Sequence, residues 1–167
     1  MSKKVATWGM LVALAFLLSY IETLIPFSFG VPGIKLGLAN LVTVIALYGL
    51  GEKQAFAVSL VRIVLAGFTF GNLSVMLYSL AGGVLSYLCM VLFKRFTGLS
   101  MVGISVIGGV AHNLGQLLLA AFVLKTESLL YYFPALLVAG TAAGLVIGLL
   151  GGMVITRIRP YMEQNIS

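Results

Sequence analysis

The chain has 167 residues, of which 61% are hydrophobic and 8% charged, with a net charge of +6 and a mean hydropathy of +1.16. A soluble domain carries roughly 25% charged residues, so this is the composition of an integral membrane protein, and its apolar runs leave no room between them for a soluble catalytic domain. Nucleic acid is not a partner, because the basic residues sit in short connections between apolar runs, where they set orientation, and Cys89, alone in an apolar run, makes neither a disulfide framework nor a thiolate metal cluster.

The first predicted helix covers about 5–25, near the ~20 residues that a bilayer core requires. Its basic start resembles a signal peptide, but the long apolar run lacks a small-residue cleavage site, so it is read as retained. The stretch VPGIKLGLAN, Val31 to Asn40, then interrupts the membrane pattern: Pro32 and Gly33 forbid a continuing helix, Lys35 adds a charge, and Gly37 to Asn40 open a new segment with small and polar residues. Helices over about 37–50 and 54–67 follow, split by Gly51-Glu52-Lys53. A single helix through those charges would bury both at ~2.5–3.5 kcal/mol each, which favours a hairpin. Phe68 to Leu73 is an ordered loop or a helix extension, and further helices are predicted over 74–93, 101–124 and 129–156. The fold class is all-α, one domain of six transmembrane helices.

With six spans both termini share a side. Lys3, Lys4, Lys53, Lys94, Arg95, Arg157 and Arg159 fall on that side and only Lys35 and Lys125 on the other, so the positive-inside rule makes both termini cytoplasmic. The remaining basic residue, Arg62, lies inside the third helix, where an ionisable group is expensive and normally faces a bundle interior or a wet cavity. Glu22, Lys35, Asn40 and Asn72 fall near the outer ends of their segments, and His112, Asn113 and Gln116 in the middle to outer half of the fifth helix. These depths agree with Arg62 and outline an outward-opening pocket, roofed by the loop from Pro26 to Leu36. Each residue also has a plainer reading. Arg62 neutralises Glu22, Lys35 snorkels to a headgroup, Asn40 caps its helix, and His112 makes an interhelical hydrogen bond. The glycines of GGVAHNLGQ, like Gly9 with Ala13 and Gly140 with Gly144 and Gly148, also suit close helix packing.

The run GIKLGLANL and the later GGVAHNLGQ, within a six-span layout, resemble the membrane family named heptaprenyl diphosphate synthase component I, also called the Gx transporter family. The topology, with a structured outer loop between the first two helices, is also similar to the substrate-binding S components of energy-coupling factor (ECF) transporters. The first resemblance implies a partnership with a prenyl diphosphate synthase, but such enzymes hold magnesium with clustered acidic residues. This chain has no aspartate, and its four glutamates, Glu22, Glu52, Glu127 and Glu163, are scattered. It is therefore read as no enzyme itself, without metal or cofactor. No GxxxxGK[ST] loop is present, so transport would draw on ATPase and transmembrane coupling subunits, as the S-component resemblance implies, or on an ion gradient. The expected function is capture of a small molecule with an anionic group from the outer side of the lipid bilayer. The alternative is a noncatalytic subunit recruiting an isoprenoid, quinone or electron-transfer enzyme.

The loop charges generate a direct test. In a Cys89→Ala background, cysteines introduced at Thr126 or Gly33 should react with an impermeant thiol reagent outside intact cells, while one at Thr97 should not. Labelling at Thr97 alone would invert the topology.

Overall fold

The computed structural model describes residues 2–24 and 37–166, without the side chains of 2–4, 159 and 161–166. Lys35 and the expected roof from Pro26 to Leu36 lie outside the described residues. Six α-helices run through those residues: α1 Ser2–Leu24, α2 Asn40–Gly49, α3 Glu52–Phe70, α4 Leu73–Phe96, α5 Met101–Leu124 and α6 Phe133–Ile166, with a 3-10 turn at Glu127–Tyr132 leading into α6. Five segments, in α1, α3, α4, α5 and the 3-10 turn with α6, are long and apolar enough to cross a membrane. The chain is an all-α, multi-pass membrane protein.

The second helix departs from the expected 37–50. Gly37 adopts φ +81°, Leu38 and Ala39 form a turn, and the helix starts only at Asn40. At 1.5 Å per residue its length is about 15 Å, half of a ~30 Å hydrocarbon core. It is buried on every side, with all of Val42 to Leu47 inside, as suits a helix that is apolar all round. The other differences are at ends. Phe68 to Phe70 of FTFGNL finish α3 and Leu73 begins α4, while α6 continues past Thr156 and through Pro160.

A tight turn separates α2 from α3, and glycine makes it. The Leu50 and Gly51 N–H groups both donate to the Ala46 carbonyl, at 2.8 and 3.0 Å, and Gly51 takes φ +108°, a region that side chains disfavour. Charges gather at this end of the bundle. Glu52 pairs with Arg95, the Tyr87 hydroxyl donates to the Glu52 carbonyl at 3.1 Å, and Lys94 Nζ donates to the Leu47 carbonyl at 2.9 Å while lying 4.7 Å over the Tyr48 ring. The lysine thus satisfies a carbonyl in the last turn of α2, where the helix dipole favours a cation.

α5 is the central helix, packed against α4 on one side and α6 on the other. Its contact with α6 is made by small residues: a Cβ added at Gly109 would overlap the Gly140 carbonyl, and one at Gly144 would lie 2.5 Å from Val106 Cα. Without a hydrophobic drive between helices in lipid, such close approach supplies the packing contacts. Gly9 and Ala13 do not behave this way. Both are exposed, and a Cβ on Gly9 would meet nothing within 4 Å among the described residues, because that face of α1 turns away from the bundle.

Gly109→Val should lower the unfolding temperature in detergent, as overpacking of a tight contact costs ~1–3 kcal/mol. Gly152→Ala, where a Cβ meets nothing within 4 Å among the described residues, should leave it nearly unchanged. Equal effects of the two would show that α5 and α6 are not packed through Gly109.

Candidate functional site

The site is built around the beginning of α2. The first N–H groups of α2, those of Asn40, Leu41 and Val42, donate to the carbonyls of Gly37, Leu38 and Ala39, so the amides still in need of acceptors are those of the turn that leads into the helix. Their acceptor comes from α1. Glu22 Oε1 accepts the Gly37 N–H and the Leu38 N–H, the latter at 3.2 Å. Two consecutive amides converging on one carboxylate form an anion-binding nest, and the dipole of α2 reinforces it. Gly37 is needed there for two reasons: its positive φ, and a neighbour so close that a Cβ would sit 3.2 Å from His112 Cδ2 and 2.9 Å from Asn40 Nδ2.

Arg62 comes from the middle of α3. Its Nη2 donates to Asn40 Oδ1 at 3.0 Å and its Nη1 to Ser19 Oγ at 3.4 Å, while the charge of Glu22 acts on it electrostatically. Ser19 stands three residues before Glu22, on the same face of α1. Its own hydroxyl donates to the Ala15 carbonyl at 2.9 Å, leaving an oxygen lone pair for the guanidinium. Glu22, Arg62 and His112 are 7%, 5% and 3% exposed. They line one cleft with Ser19, Ile63, Ala66 and Ser79, and its cavity volume is about 10 Å³. That is room for roughly one water molecule.

Depth follows from the helices. Arg62 is ten residues above Glu52, or about 15 Å along α3, and His112 is at the middle of α5. Ala66 and Ser79 carry the cleft on towards the bundle end at which α3 finishes and α4 begins. The site therefore extends from mid-depth towards the end opposite the Glu52–Arg95 pair.

The sequence-derived residues do not all meet here. Glu22, Asn40, Arg62 and His112 do. Gln116 is fully buried one turn from His112, against α4, where a Cβ on Gly82 would lie 2.8 Å from Gln116 Cγ and 2.7 Å from the His112 carbonyl. Asn113 faces α6 and donates through Nδ2 to the Leu136 carbonyl at 2.8 Å, a bond between helices. Asn72 is exposed and caps α4, accepting the Val75 N–H at 2.9 Å. Asn40 is the first residue of α2, but its side chain serves Arg62 and does not cap the helix. Ser19 and Ser79 were not anticipated. The available signals were the three-residue spacing of Ser19 from Glu22 and that of Ser79 from Gly82; serines are common in apolar helices, which makes both weak.

Comparison with known proteins adds to this geometry. The fold is similar to a solved structure described as the S component of a bacterial ECF transporter, with a TM-score of 0.73 and 19% identity over 96% of this chain and 98% of that one. No curated protein matches the sequence. The model of heptaprenyl diphosphate synthase component I matches residues 11–154, and the chain belongs to that family.

Proposed function

We propose that this chain is the substrate-binding membrane component of a small-molecule transporter, with cytoplasmic termini and a cleft that takes its ligand from the outer side. The observation that supports it most is the convergence of Glu22, Arg62 and His112, all more than nine-tenths buried, on one cleft. Charged groups at membrane depth are costly, and a purely structural pair would be better closed against its neighbours than set along an opening. The likeness in fold to an ECF S component supports the same kind of assembly. ATP hydrolysis would come from partner subunits with a transmembrane coupling protein, since this chain has no phosphate-binding loop.

In this reading the work is binding, without bond chemistry. Arg62 offers a charge-assisted hydrogen bond and His112 a directional one. Asn40 and Ser19 hold the guanidinium in place, and Gln116 and Asn113 fix α5 against α4 and α6. The family's name points instead to diphosphate chemistry on magnesium, and the acidic residues do not fit it. The chain has no aspartate, the Glu22 carboxylate is seated on backbone amides, and Glu52 is paired with Arg95. The name therefore favours, at most, a noncatalytic subunit for a prenyl synthase or a redox enzyme.

Purification under mild detergent separates the two. An ATPase pair and a membrane coupling subunit should accompany the chain, and cells carrying all of them should accumulate ligand in an ATP-dependent way. Recovery of a soluble prenyl synthase or flavoprotein in their place would overturn the transport reading. Within the transport assay, Arg62→Met should lower affinity roughly ten- to a hundredfold, the equivalent of ~1.5–3 kcal/mol for a hydrogen bond to a charged group. If the double variant Arg62→Met with Glu22→Gln binds normally and regains the stability lost in the single variant, Arg62 serves only to neutralise Glu22.

A further inference from the structure

Resting on the proposed binding role, we infer that the ligand is a small zwitterion whose carboxylate takes the seat of Glu22 on the Gly37 and Leu38 amides and whose ammonium is received by the displaced Glu22. The seat is a built one. It consists of two consecutive backbone N–H groups in the turn that leads into a half-length helix, already holding a carboxylate oxygen, where a Cβ on Gly37 would sit 2.9 Å from Asn40 Nδ2 and 3.2 Å from His112 Cδ2.

A second, independent feature lies beside it. The Arg62 side chain is 5% exposed and lines the cleft, and its Nε–H has no hydrogen-bond partner among the described residues. A guanidinium presents five donors in a fixed fork. Asn40 and Ser19 take one each of its terminal donors, which leaves Nε–H for a planar acceptor entering the cleft. Carboxylates match that fork better than any point charge does.

The ammonium follows from charge balance. Glu22 and Arg62 sum to zero, and among the described residues the other elements around the cleft add no carboxylate, lysine or arginine: α5 contributes His112, α4 Ser79, and α2 Asn40. A simple anion entering the seat would strand the Glu22 carboxylate in an apolar interior with one guanidinium for two anions among these groups. A simple cation would draw Glu22 away and leave the two amides without an acceptor, which is also costly. A molecule carrying both groups exchanges each contact for an equivalent one and buries no net charge. The cavity volume is about 10 Å³, so the ligand needs the space that the displaced Glu22 side chain vacates. The apolar wall at Ile63 and Ala66 is left for the body of the ligand.

The test uses the purified full-length chain in detergent with glycine, β-alanine, acetate and methylammonium as probes at matched ionic strength, read by thermal shift and by the amide signals of Gly37 and Leu38. The zwitterions should stabilise the protein saturably and move both amide signals, with acetate and methylammonium at least tenfold weaker. Glu22→Gln and Arg62→Lys should each weaken zwitterion binding at least tenfold; Arg62→Lys keeps the charge and so preserves the fold better than removal of the cation. Acetate binding as tightly as glycine would replace the zwitterion with a plain anion, and zwitterion binding with both amide signals unmoved would place the seat elsewhere; either result overturns the inference. A ligand identified by uptake that lacks a carboxylate and ammonium pair would overturn it too, while leaving the transport role intact. Saturable zwitterion binding without partner subunits or uptake would do the reverse.

Discussion

The contact on which the rest of the site depends is the Glu22 carboxylate on the amides that open α2. A helix of ten residues that begins inside the bundle places its first N–H groups on the carbonyls of the turn before it, and the amides of that turn then have to be satisfied without bulk water, in surroundings where an unsatisfied polar group costs several kcal/mol. A carboxylate meets that need and matches the helix dipole. It also brings a charge that needs a counter-charge, which Arg62 supplies, and Arg62 in turn needs acceptors, which Asn40 and Ser19 provide. Each polar residue thus answers a requirement created by the one before it. The half-length helix is what starts the series.

This polar series is held by a frame of close helix contacts. α5 lies against α6 through Gly109, Gly140 and Gly144, and against α4 through Gly82 and Gly115, where a Cβ would come within 2.7 Å of backbone on the facing helix. Such contacts fix the rotation and depth of α5, and with them the place of His112 opposite Gly37. The bond from Asn113 to the Leu136 carbonyl pins the same helix on its far side. Two kinds of residue in GGVAHNLGQ therefore have two tasks: the small ones set how closely α5 is approached, and the polar ones use the position so defined.

Much of this was legible in the sequence, and the reasons differ by residue. Arg62, Glu22 and His112 stood out because an ionisable group within an apolar run must find a partner, and their depths along separate helices agreed. The all-helical membrane fold followed from run lengths and from charges confined to connections. Asn72 illustrates the limit. Asparagine before an apolar helix is both a ligand candidate and a favoured N-cap, and nothing local separates the two; the Val75 N–H claims its side chain. The start of α2 was hidden for another reason. Whether Gly37 continues a helix or turns at φ +81° is decided by its contacts with Glu22 and His112, which are made by helices far off in the chain. Ser19 looks like any serine bonded back to its own helix, and its second role exists only because Arg62 arrives from α3.

The two ends of α2 are anchored in different ways, and the difference bears on how a ligand can enter. At its last turn Lys94 holds the Leu47 carbonyl and the Tyr48 ring, beside a network of Glu52, Arg95 and Tyr87 that belongs to the charged end of the bundle. Just before its first turn the anchor is the side chain of Glu22 in the cleft. Glu22 is joined to the turn that leads into the helix by hydrogen bonds to two amides, whereas the opposite end combines hydrogen bonds, an ion pair and ring contacts from α3 and α4. An entering group that replaces Glu22 on those amides leaves the other anchor untouched, so α2 keeps its place in the core of Val44, Ile45 and Leu47. The proposed exchange of one carboxylate for another would therefore not require unpacking of the helix that forms the floor of the cleft.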